Sequence, residues 1–487
     1  MQLTHDWQRV AHLSPEERAD MQNRLFQAMV RHQLPYSPHY RKLFADRNLS
    51  FSDFRTTDDL VKIPFIAKSD VAPTEAEPGK PKTFMLQPDE ELLKKYASKS
   101  TLLKLASMKL QRKDPKPLLE WEYKPIHLHF TTGRSALPTA FGYSARDMQM
   151  LKETGKRLLE VTGVDPSVVG INGFPYSPHL AFWLTYHAMT TIGMTSLQTG
   201  GGKIMGTQKI IDALERMKAG LAAFIPGYAY HLLREAVKQQ RDFSNLQHII
   251  FGGDRVNDGF RTKVKALLKE LKSENVKLLV TYAMTEGKTA WIQCDEHSGY
   301  HTYPDLEFFE VVDPEGQRVK EGEAGELVYT ALNWRGSMVV RYRTGDMVRG
   351  MTNEPCPHCG KTVPLIYPDI QRVTEMREFH MAKLKGELIN LNEFYPLLSA
   401  HPGIEEWQVE LRKKNDDPHG LDEIIVHLTP KTGMDAHTVQ AETQRMLHDK
   451  MMLTVQTDIV PLTDLLQRLG METELKEKRI LDNRPKE

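Results

Sequence analysis

Between residues 126 and 285, short apolar runs typical of β-strands alternate with segments of helical periodicity. The strand-like runs are IHLHF, VVGINGF, TSLQT, LAAFIP, HIIFGG and KLLVTYA, and the helical segments include 206–219 and 258–273. Alternation of this kind is typical of a parallel sheet with helices packed on its faces. It predicts an α/β fold for the central part of the chain.

The pattern differs on both sides of this region. Upstream, Ser14-Pro15-Glu16-Glu17 reads as a capping box with proline at the first helical position, which predicts an amphipathic helix over 14–32. Residues 80–125 are rich in Lys, Pro and Glu and indicate a connector or surface insertion. Downstream, short strands with Gly and Pro turns over 299–350 predict a small antiparallel barrel or sheet.

The last part of the chain mixes strand and helix patterns after a break at Tyr367-Pro368-Asp369. The length of this last part is within the usual size range of a protein domain. We therefore predict a large N-terminal domain over 1–370, with parallel α/β sheets and a small β-barrel, and a smaller mobile α+β lid over 371–487.

Charge and composition exclude several classes of protein. Lys plus Arg and Asp plus Glu number 64 each, so the chain as a whole has no net field that favours nucleic acid or a membrane. No apolar run approaches the roughly 20 residues of a membrane span, and MQLTHDWQRVAHL lacks the apolar core of a signal peptide. Three cysteines are too few for a disulfide scaffold. We expect a cytoplasmic monomer or homodimer.

A loop rich in Thr, Gly and Ser follows the strand-like run that ends at Phe130. In HFTTGRSALPTAFGYSARD, small residues allow backbone N–H groups to approach phosphate oxygens, and the hydroxyls of Thr131, Thr132 and Ser135 add donors. Ordinary turn chemistry is the alternative interpretation. The glycine-rich TGGGKIMGT lacks the spacing of a Walker loop and is interpreted as a structural loop.

Four later segments favour the phosphate interpretation through their order. They are FGGDRV (251–256), YAMTEG (282–287), GEAGELVYT (322–330) and YRTGDMV (342–348). Together with 131–139 they resemble the core motifs of the adenylate-forming superfamily, and the pattern is most similar to its phenylacetate–CoA ligase-like branch. The segments 37–46, 60–71, 174–202 and 474–484 resemble the same branch.

The resemblance implies an ATP site and its ligands. The loop residues Thr131, Thr132, Gly133, Arg134 and Ser135 would hold the β- and γ-phosphates. The adenine would be bordered by Gly252, Gly253 and Asp254, and Tyr282 would stack on it. Ala283 and Met284 would line the site, and Thr285 would contact the α-phosphate. Asp346 would accept hydrogen bonds from the ribose hydroxyls, with Arg372 beside it. Glu286 would hold Mg²⁺, a hard cation that prefers carboxylate oxygen. Without the resemblance, Asp346 could simply cap a turn and Glu286 could be a surface carboxylate.

The implied activity is activation of a carboxylic acid by ATP to an acyl-AMP, followed by transfer to coenzyme A. A carboxylate that attacks a phosphate brings two anions together, so Mg²⁺, backbone donors and a lysine must neutralise charge. By resemblance this lysine is Lys476, and Gly386 would line the path of coenzyme A; Lys478 and Arg479 allow the alternative of a solvated basic tail. Alternative activities are transfer to a carrier-protein thiol, an amine or a partner enzyme, and a non-catalytic binding protein of the same fold.

The acid itself is not identified by the sequence. Aromatic and histidine residues fall where the family builds its acid pocket and suggest an aryl or other bulky acid, although a core helix could carry the same residues. They are Phe174, Tyr176, His179, Trp183 and His187.

All three cysteines lie in two segments that flank one predicted sheet. The spacing Cys356-Pro-His-Cys359 suits two thiolates on one structural Zn²⁺, which needs four ligands. Cys294 and His301 would complete the set, with His297 and then His358 as competing fourth ligands. Three unrelated thiols or a redox pair are the alternatives.

Overall fold

The computed structural model describes residues 4–131, 138–372, 381–384, 387–413, 422–451, 453–470 and 477–484, with the backbone alone for 371, 372, 381–384, 387–390, 392 and 422. The chain forms two compact units. The first comprises Met1–Val168, Tyr176–Ser196 and Leu279–Ile370, and the second comprises Val169–Pro175, Leu197–Leu278 and Gln371–Glu487. The chain passes from the first unit to the second at 370/371, where we placed the domain boundary; the two-domain division itself stays a prediction.

Helices predominate up to residue 123, helices and strands alternate over 125–284, and strands predominate over 289–390. The α-helices are α1 (Trp7–Val10), α2 (Pro15–His32), α3 (Pro38–Asp46), α4 (Lys68–Val71), α5 (Glu90–Tyr96), α6 (Lys99–Leu110), α7 (Lys116–Tyr123), α8 (Ala145–Thr162), α9 (Leu180–Thr191), α10 (Gly202–Met205), α11 (Thr207–Arg216), α12 (Pro226–Lys238), α13 (Asp258–Glu270), α14 (Phe394–Ala400), α15 (Ala436–Met451) and α16 (Leu462–Leu469). None of these helices is both long and apolar enough to span a bilayer.

The strands are β1 (Pro125–Phe130), β2 (Ala140–Ser144), β3 (Val169–Asn172), β4 (Ser196–Gln198), β5 (Ala219–Phe224), β6 (His248–Phe251), β7 (Lys277–Met284), β8 (Thr289–Ile292), β9 (Tyr300–His301), β10 (Glu307–Val312), β11 (Gly325–Ala331), β12 (Tyr342–Val348), β13 (Met351–Thr352), β14 (Leu365–Ile366), β15 (Gln371–Arg372), β16 (Met381–Leu384), β17 (Glu387–Asn390), β18 (Ile404–Lys413), β19 (Asp422–Pro430), β20 (Gln456–Ile459) and β21 (Ile480–Asp482).

The first long helix begins where its capping signals predict. Glu17 N donates to Oγ of Ser14 over 3.2 Å, and Ser14 N donates to Oε2 of Glu17 over 3.1 Å. Pro15 is the first residue of α2, where its missing N–H costs no hydrogen bond. The predicted capping box is confirmed.

The segment over 80–125 contains α5, α6 and α7. Phe84 and Leu86, near its start, are buried in the first unit. In contrast, α6 buries none of its residues. The surface character of this segment is therefore concentrated in α6.

The first unit contains antiparallel strands. β1 pairs antiparallel with β2, so the expectation that IHLHF belongs to the parallel sheet is wrong. The reason is local: the chain reverses over 131–139, which brings AFGYS alongside as the nearest partner. β7 pairs antiparallel with β8, a partner that the strand assignment from sequence did not include. β10, β11 and β12 form the small antiparallel sheet that the downstream pattern predicts.

The second unit holds the predicted parallel sheet. β3 pairs in parallel with β5, and β5 pairs in parallel with β6. All six residues of β5 are buried, as expected for a strand covered on both faces. TGGGKIMGT forms a turn and the short helix α10, with positive φ at Gly200 and Gly201, in keeping with a structural loop.

The C-terminal residues of the second unit form an α+β layer, as predicted. β18 pairs antiparallel with β19 and in parallel with β21, while β20 pairs in parallel with β19. A hydrophobic core lies between this sheet and helices α14 and α15. It includes Leu391, Phe394, Leu398, Trp407, Val409, Val426, Leu428, Val439 and Leu447.

Candidate active site

Two residues that the sequence assigns to nucleotide binding meet in the first unit. Tyr282 lies in β7 and Asp346 in β12. The hydroxyl of Tyr282 donates a hydrogen bond to Oδ2 of Asp346 over 2.7 Å. Asp346 is buried, and its backbone N–H donates to Oγ1 of Thr344 over 3.0 Å. The carboxylate therefore has a fixed orientation, which suits an acceptor of hydrogen bonds from hydroxyl groups.

The ring of Tyr282 is itself held in place by a neighbouring strand. Tyr282 lies opposite Trp291 in the β7–β8 pair, and their rings stack with centroids 5.4 Å apart. Nε1 of Trp291 donates to Oε1 of the buried Glu307 over 2.5 Å, and Tyr303 N donates to the same oxygen over 2.8 Å. Burial raises the pKa of the Glu307 carboxyl to about 8. A chain of contacts thus runs from Glu307 through Trp291 to Tyr282.

Glu286 also has a partner that the sequence did not identify. The hydroxyl of Tyr342, at the start of β12, donates to Oε1 of Glu286 over 3.0 Å. Tyr342 belongs to the motif YRTGDMV, of which only Asp346 had been given a role. Thr285 and Glu286 lie in the turn after β7, which is closed by a hydrogen bond from Lys288 N to Thr285 O over 3.2 Å. Both are partly exposed, so Glu286 can reach a cation in solution.

Lys288, at the end of this turn, forms a buried ion pair. It is fully buried, and its Nζ lies 2.9 Å from Oδ2 of Asp147. It also lies 4.8 Å from the ring centroid of Tyr143. Burial lowers the pKa of Lys288, while Asp147 opposes that shift. The ion pair fixes the turn that carries Glu286 to the start of α8, and no signal in the sequence marked it.

Asp147 also completes the cap of α8. Ser144 and Asp147 form a capping box, with Asp147 N donating to Oγ of Ser144 over 3.1 Å. Arg335 N and Gly336 N donate to the same carboxylate over 2.8 and 2.6 Å. Asp147 therefore joins α8, the Glu286 turn and the loop before β12.

Of the predicted phosphate loop, Thr131 is described and Thr132, Gly133, Arg134 and Ser135 lie outside the described residues. Thr131 N donates to Thr139 O over 3.0 Å, and Thr139 N donates to Oγ1 of Thr131 over 3.3 Å. The two ends of the loop are therefore joined. The next element in the chain after this segment is therefore the strand β2, and not a helix.

The predicted adenine segment lies in the second unit. Gly252, Gly253 and Asp254 follow β6, at the carboxyl end of a parallel strand, where α/β sheets bind ligands. Gly253 has φ of 89°, a conformation that favours glycine. Asp254 Oδ1 accepts from Arg255 N over 2.8 Å.

Lys476 and Gly386 lie outside the described residues, and Arg372 is described by its backbone in β15 alone. The residue after Lys476 is described. The carboxylate of Glu477 lies against Gly227 in the first turn of α12, where a Cβ atom would overlap it. Burial raises the pKa of Glu477 to about 7, Arg479 opposes this, and Asp254 adds to it. The neighbour of Lys476 is thus within electrostatic range of the predicted adenine segment in the same unit.

Arg479 fastens this stretch to the C-terminal sheet. Its Nη1 and Nη2 donate to the carboxylate of Glu406 over 2.9 and 3.1 Å, and its Nε donates to Glu477 over 2.5 Å. Such a two-pronged arrangement restricts orientation as well as position. Lys478 N donates to Leu469 O over 3.1 Å, so the backbone around 477–479 is fixed on both sides.

The three cysteines and His301 meet at one point of the first unit. Their ligand atoms all lie within 4.8 Å of one another. Sγ of Cys294 lies 3.6 Å from Sγ of Cys356, and Nε2 of His301 lies 3.1 Å from Sγ of Cys359. A hydrogen bond with Cys294 lowers the pKa of the Cys359 thiol to about 3, and His301 acts in the same direction.

This donor set fits a tetrahedral metal site. Two sulfur ligands on one zinc, with bonds of about 2.3 Å, are about 3.8 Å apart, which matches the Cys294–Cys356 separation. Nδ1 of His301 lies 3.1 Å from Ile292 O, a carbonyl that can only accept, so Nε2 is the nitrogen directed at the thiols. Among the described residues, the competing ligands His297 and His358 are not part of this group.

Two aromatic residues of the predicted acid pocket, Tyr176 and Trp183, belong to a partly exposed cluster in the first unit. Trp183 makes ring contacts with Tyr176 and His127, with centroids 6.0 and 5.3 Å apart. Tyr176 is 61% exposed, so this cluster is not part of the buried hydrophobic core. His187 is buried, and Phe174 is buried in the second unit.

His127 begins a hydrogen-bonded series that the sequence analysis missed. Its Nε2 lies 2.9 Å from Nε2 of His129, whose Nδ1 lies 2.9 Å from the hydroxyl of Tyr143. Burial lowers the pKa of His129 to about 3 and that of His187 to about 4. These imidazoles are neutral near pH 7. The alternation of histidines in IHLHF was the available signal.

Several known proteins are similar to this chain in sequence. Residues 159–333 match the family model described as AMP-binding enzyme. The phenylacetate-coenzyme A ligase of Thermus thermophilus is 23% identical over 441 residues, covering 87% of this chain and 88% of that protein. The phenylacetate-coenzyme A ligase of Aromatoleum evansii is 23% identical over 494 residues, covering 99% of this chain and 98% of that protein.

Solved structures show the fold. A 2-hydroxyisobutyryl-CoA ligase in the postadenylation state, in complex with R3-HIB-AMP, superposes with a TM-score of 0.76 at 20% identity, covering 98% of this chain and 92% of that chain. The same ligase with 2-HIB-AMP and CoA gives a TM-score of 0.61 at 19% identity, covering 98% and 92%. Residues 159–333 match the AMP-binding enzyme family, and this match confirms the resemblance predicted from the sequence at the level of that segment.

Proposed function

We propose that this protein is an AMP-forming carboxylic acid–CoA ligase. The observation that carries the proposal is the pairing of Tyr282 with Asp346 and of Tyr342 with Glu286 within one unit. These bonds hold two groups in place. Asp346 on β12 can accept hydrogen bonds from ribose hydroxyls, and Glu286 in the turn after β7 can bind a cation. The relatives named phenylacetate-coenzyme A ligase, which align over most of their length, support the same activity.

The residues act by position and charge. Asp346 orients the ribose and Tyr282 lies along the adenine, so that the α-phosphate is presented to the acid. Mg²⁺, held by Glu286, would neutralise phosphate charge as the carboxylate attacks. Lys476 would add a positive charge in that step, and Gly386 would leave room for the pantetheine arm of coenzyme A.

The acid is proposed to be aryl or otherwise bulky. Trp183 and Tyr176 offer exposed ring surface, which suits an aromatic or aliphatic body. His129 and His187 are neutral because burial lowers their pKa. They provide no charge for a second carboxylate, so we favour monocarboxylic acids over dicarboxylic acids.

A structural zinc ion is proposed at Cys294, His301, Cys356 and Cys359. All four donors suit zinc, and burial of Cys294, Cys356 and His301 leaves no open position for a substrate. The ion would hold the hairpin 356–359 against β8 and β9. It would act on stability, since the proposed chemistry uses Mg²⁺.

The test is acid-dependent ATP–pyrophosphate exchange over a panel of aryl, aliphatic and dicarboxylic acids, followed by product analysis with and without coenzyme A. Exchange and a thioester with a monocarboxylic acid are expected. Asp346→Ala should abolish most of the exchange, whereas Asp20→Ala, which removes a surface carboxylate on α2, should not. A panel without any exchange would contradict the proposal. An acyl-AMP that persists with coenzyme A present would indicate another acceptor, such as a carrier-protein thiol or an amine.

A further inference from the structure

Helix α6 is unusual because it exposes apolar residues on the side that faces away from the protein. Leu103 and Leu110 are 71% and 88% exposed, and Leu102 is 37% exposed. At 100° per residue, these three side chains and Ala106 share one face of the helix. Thr101, Leu105 and Met108, the partly buried residues, share the opposite face. The apolar outer face therefore contributes nothing to packing within the described residues.

The same segment carries a concentrated positive charge. From Leu92 to Lys113 there are seven basic residues and no acidic one. They are Lys94, Lys95, Lys99, Lys104, Lys109, Arg112 and Lys113. Glu90 of α5 lies 2.9 Å from Lys94 and offsets one of these charges. The remainder contrasts with the balanced charge of the whole chain, so the local field differs from the global one.

The exposed leucines and the lysines beside them indicate which kind of surface α6 can bind. An apolar face of this kind lies in the boundary between headgroups and acyl chains, while the flanking cations interact with anionic lipid. A helix of 12 residues is too short to cross a bilayer and is suited to lie on its surface.

We propose that α6 docks this protein on the surface of an anionic lipid bilayer. Leu102, Leu103 and Leu110 enter the interface, and the basic residues around them contact the lipid headgroups. The contact is peripheral and reversible, because three leucines on one short helix bury little area. The whole-chain charge balance had led us to expect no membrane partner, and the proposal replaces that expectation for α6.

The test is co-sedimentation of the full-length protein with vesicles of phosphatidylcholine, with or without about a quarter of phosphatidylglycerol. We expect binding to the anionic vesicles that weakens in high salt, and little binding to the neutral ones. Leu103→Gln with Leu110→Gln should weaken the partition coefficient by roughly two orders of magnitude, since both leucines lose their burial in lipid. Lys99→Gln with Lys109→Gln should weaken it about fivefold for each charge removed.

The matched control is Ile204→Gln, which replaces an aliphatic side chain that is 68% exposed in the second unit. It should bind vesicles as the wild type does. All these positions are exposed, so the thermal unfolding midpoint should stay unchanged in every variant. Equal binding of the leucine variant and the wild type would overturn the proposal. So would a dimer that the leucine variant dissociates in the absence of any vesicle binding, because a second copy of the chain would then cover α6.

Discussion

The hydroxyl of Tyr282 donates to the carboxylate of Asp346 over 2.7 Å, joining the end of β7 to the middle of β12. We expect Tyr282→Phe to keep the ring and its stack on Trp291 while releasing Asp346. The KM for ATP should rise by roughly three- to tenfold, on the scale of one ordinary hydrogen bond, because the variant acts on ATP only through Asp346; kcat should change less.

Steady-state pyrophosphate release at varied ATP measures this effect. Tyr300→Phe is the control, because the hydroxyl of Tyr300 donates to Pro368 O over 3.5 Å. If both variants change the KM for ATP equally, the Tyr282–Asp346 bond has no special part in nucleotide binding.

The hydrogen bond from Tyr342 to Glu286 gives a prediction about Mg²⁺. Tyr342→Phe removes the donor, so Glu286 loses the contact that orients it, and the Mg²⁺ concentration for half-maximal adenylation should shift by a few-fold. Glu286→Gln should lower adenylation by roughly two orders of magnitude, on the scale of losing one charge-stabilising group. Exchange assays over a Mg²⁺ series measure both. An unchanged Mg²⁺ dependence in both variants would mean that Glu286 is not the ligand.

The four-residue Cys/His group predicts about one zinc ion per chain. Metal analysis of protein purified without added zinc should find it, and His301→Ala should lose it. His297→Ala is the matched control, because His297 lies outside the group and should keep the metal. Cys356→Ser should lower the unfolding midpoint much more than it lowers the activity of the remaining folded enzyme. A fully stable wild-type protein without metal would rule out the structural role.

Glu307 gives a prediction about pH. Burial raises its pKa to about 8 from the ordinary 4.5, so the folded state binds the proton more tightly than the unfolded chain does. Its contribution to stability is therefore present below about pH 4.5 and is lost as pH rises toward 8. Glu307→Gln removes this titration and keeps an acceptor for Trp291.

The thermal unfolding midpoints of the two proteins, measured from pH 5 to 9, test this. The unfolding midpoint of Glu307→Gln should increase relative to that of the wild type as pH rises, by roughly a few degrees at the alkaline end. Asp20→Asn, at an exposed surface carboxylate, should show no such trend. A constant difference between Glu307→Gln and wild type at all pH values would contradict the raised pKa.

Lys476 is predicted to act in adenylation alone. Lys476→Ala should lower acyl-AMP formation by roughly two to three orders of magnitude, while thioester formation from a supplied acyl-AMP stays close to the wild-type rate. Lys478→Ala should do little to either step, because the resemblance assigns the charge to Lys476 and not to Lys478. Equal damage to both steps would indicate misfolding of the C-terminal layer. Damage confined to Lys478→Ala would move the catalytic position by two residues.

Some features follow from the sequence because they depend on neighbours along the chain. The capping box at Ser14 is confirmed, since a cap involves residues only three positions apart. The parallel strands β3, β5 and β6 are confirmed because continuous apolar runs are what a strand covered on both faces requires. The order of the motifs also sufficed to predict a resemblance that the family match over residues 159–333 supports.

Other features depended on which distant segments come together. The sequence placed β1 in the main sheet, but the chain reversal after Phe130 paired it with β2. It named Tyr282, Asp346 and Glu286. It did not pair Tyr282 with Asp346, 64 positions away, and it did not identify Tyr342, 56 positions away, as the partner of Glu286. It likewise gave no sign that Lys288 and Asp147 form a buried ion pair across 141 positions. Local patterns determine where strands, caps and candidate ligands lie along the chain. Only the tertiary structure determines which buried polar groups satisfy one another, because that choice depends on burial and distance, and neither is encoded in local spacing.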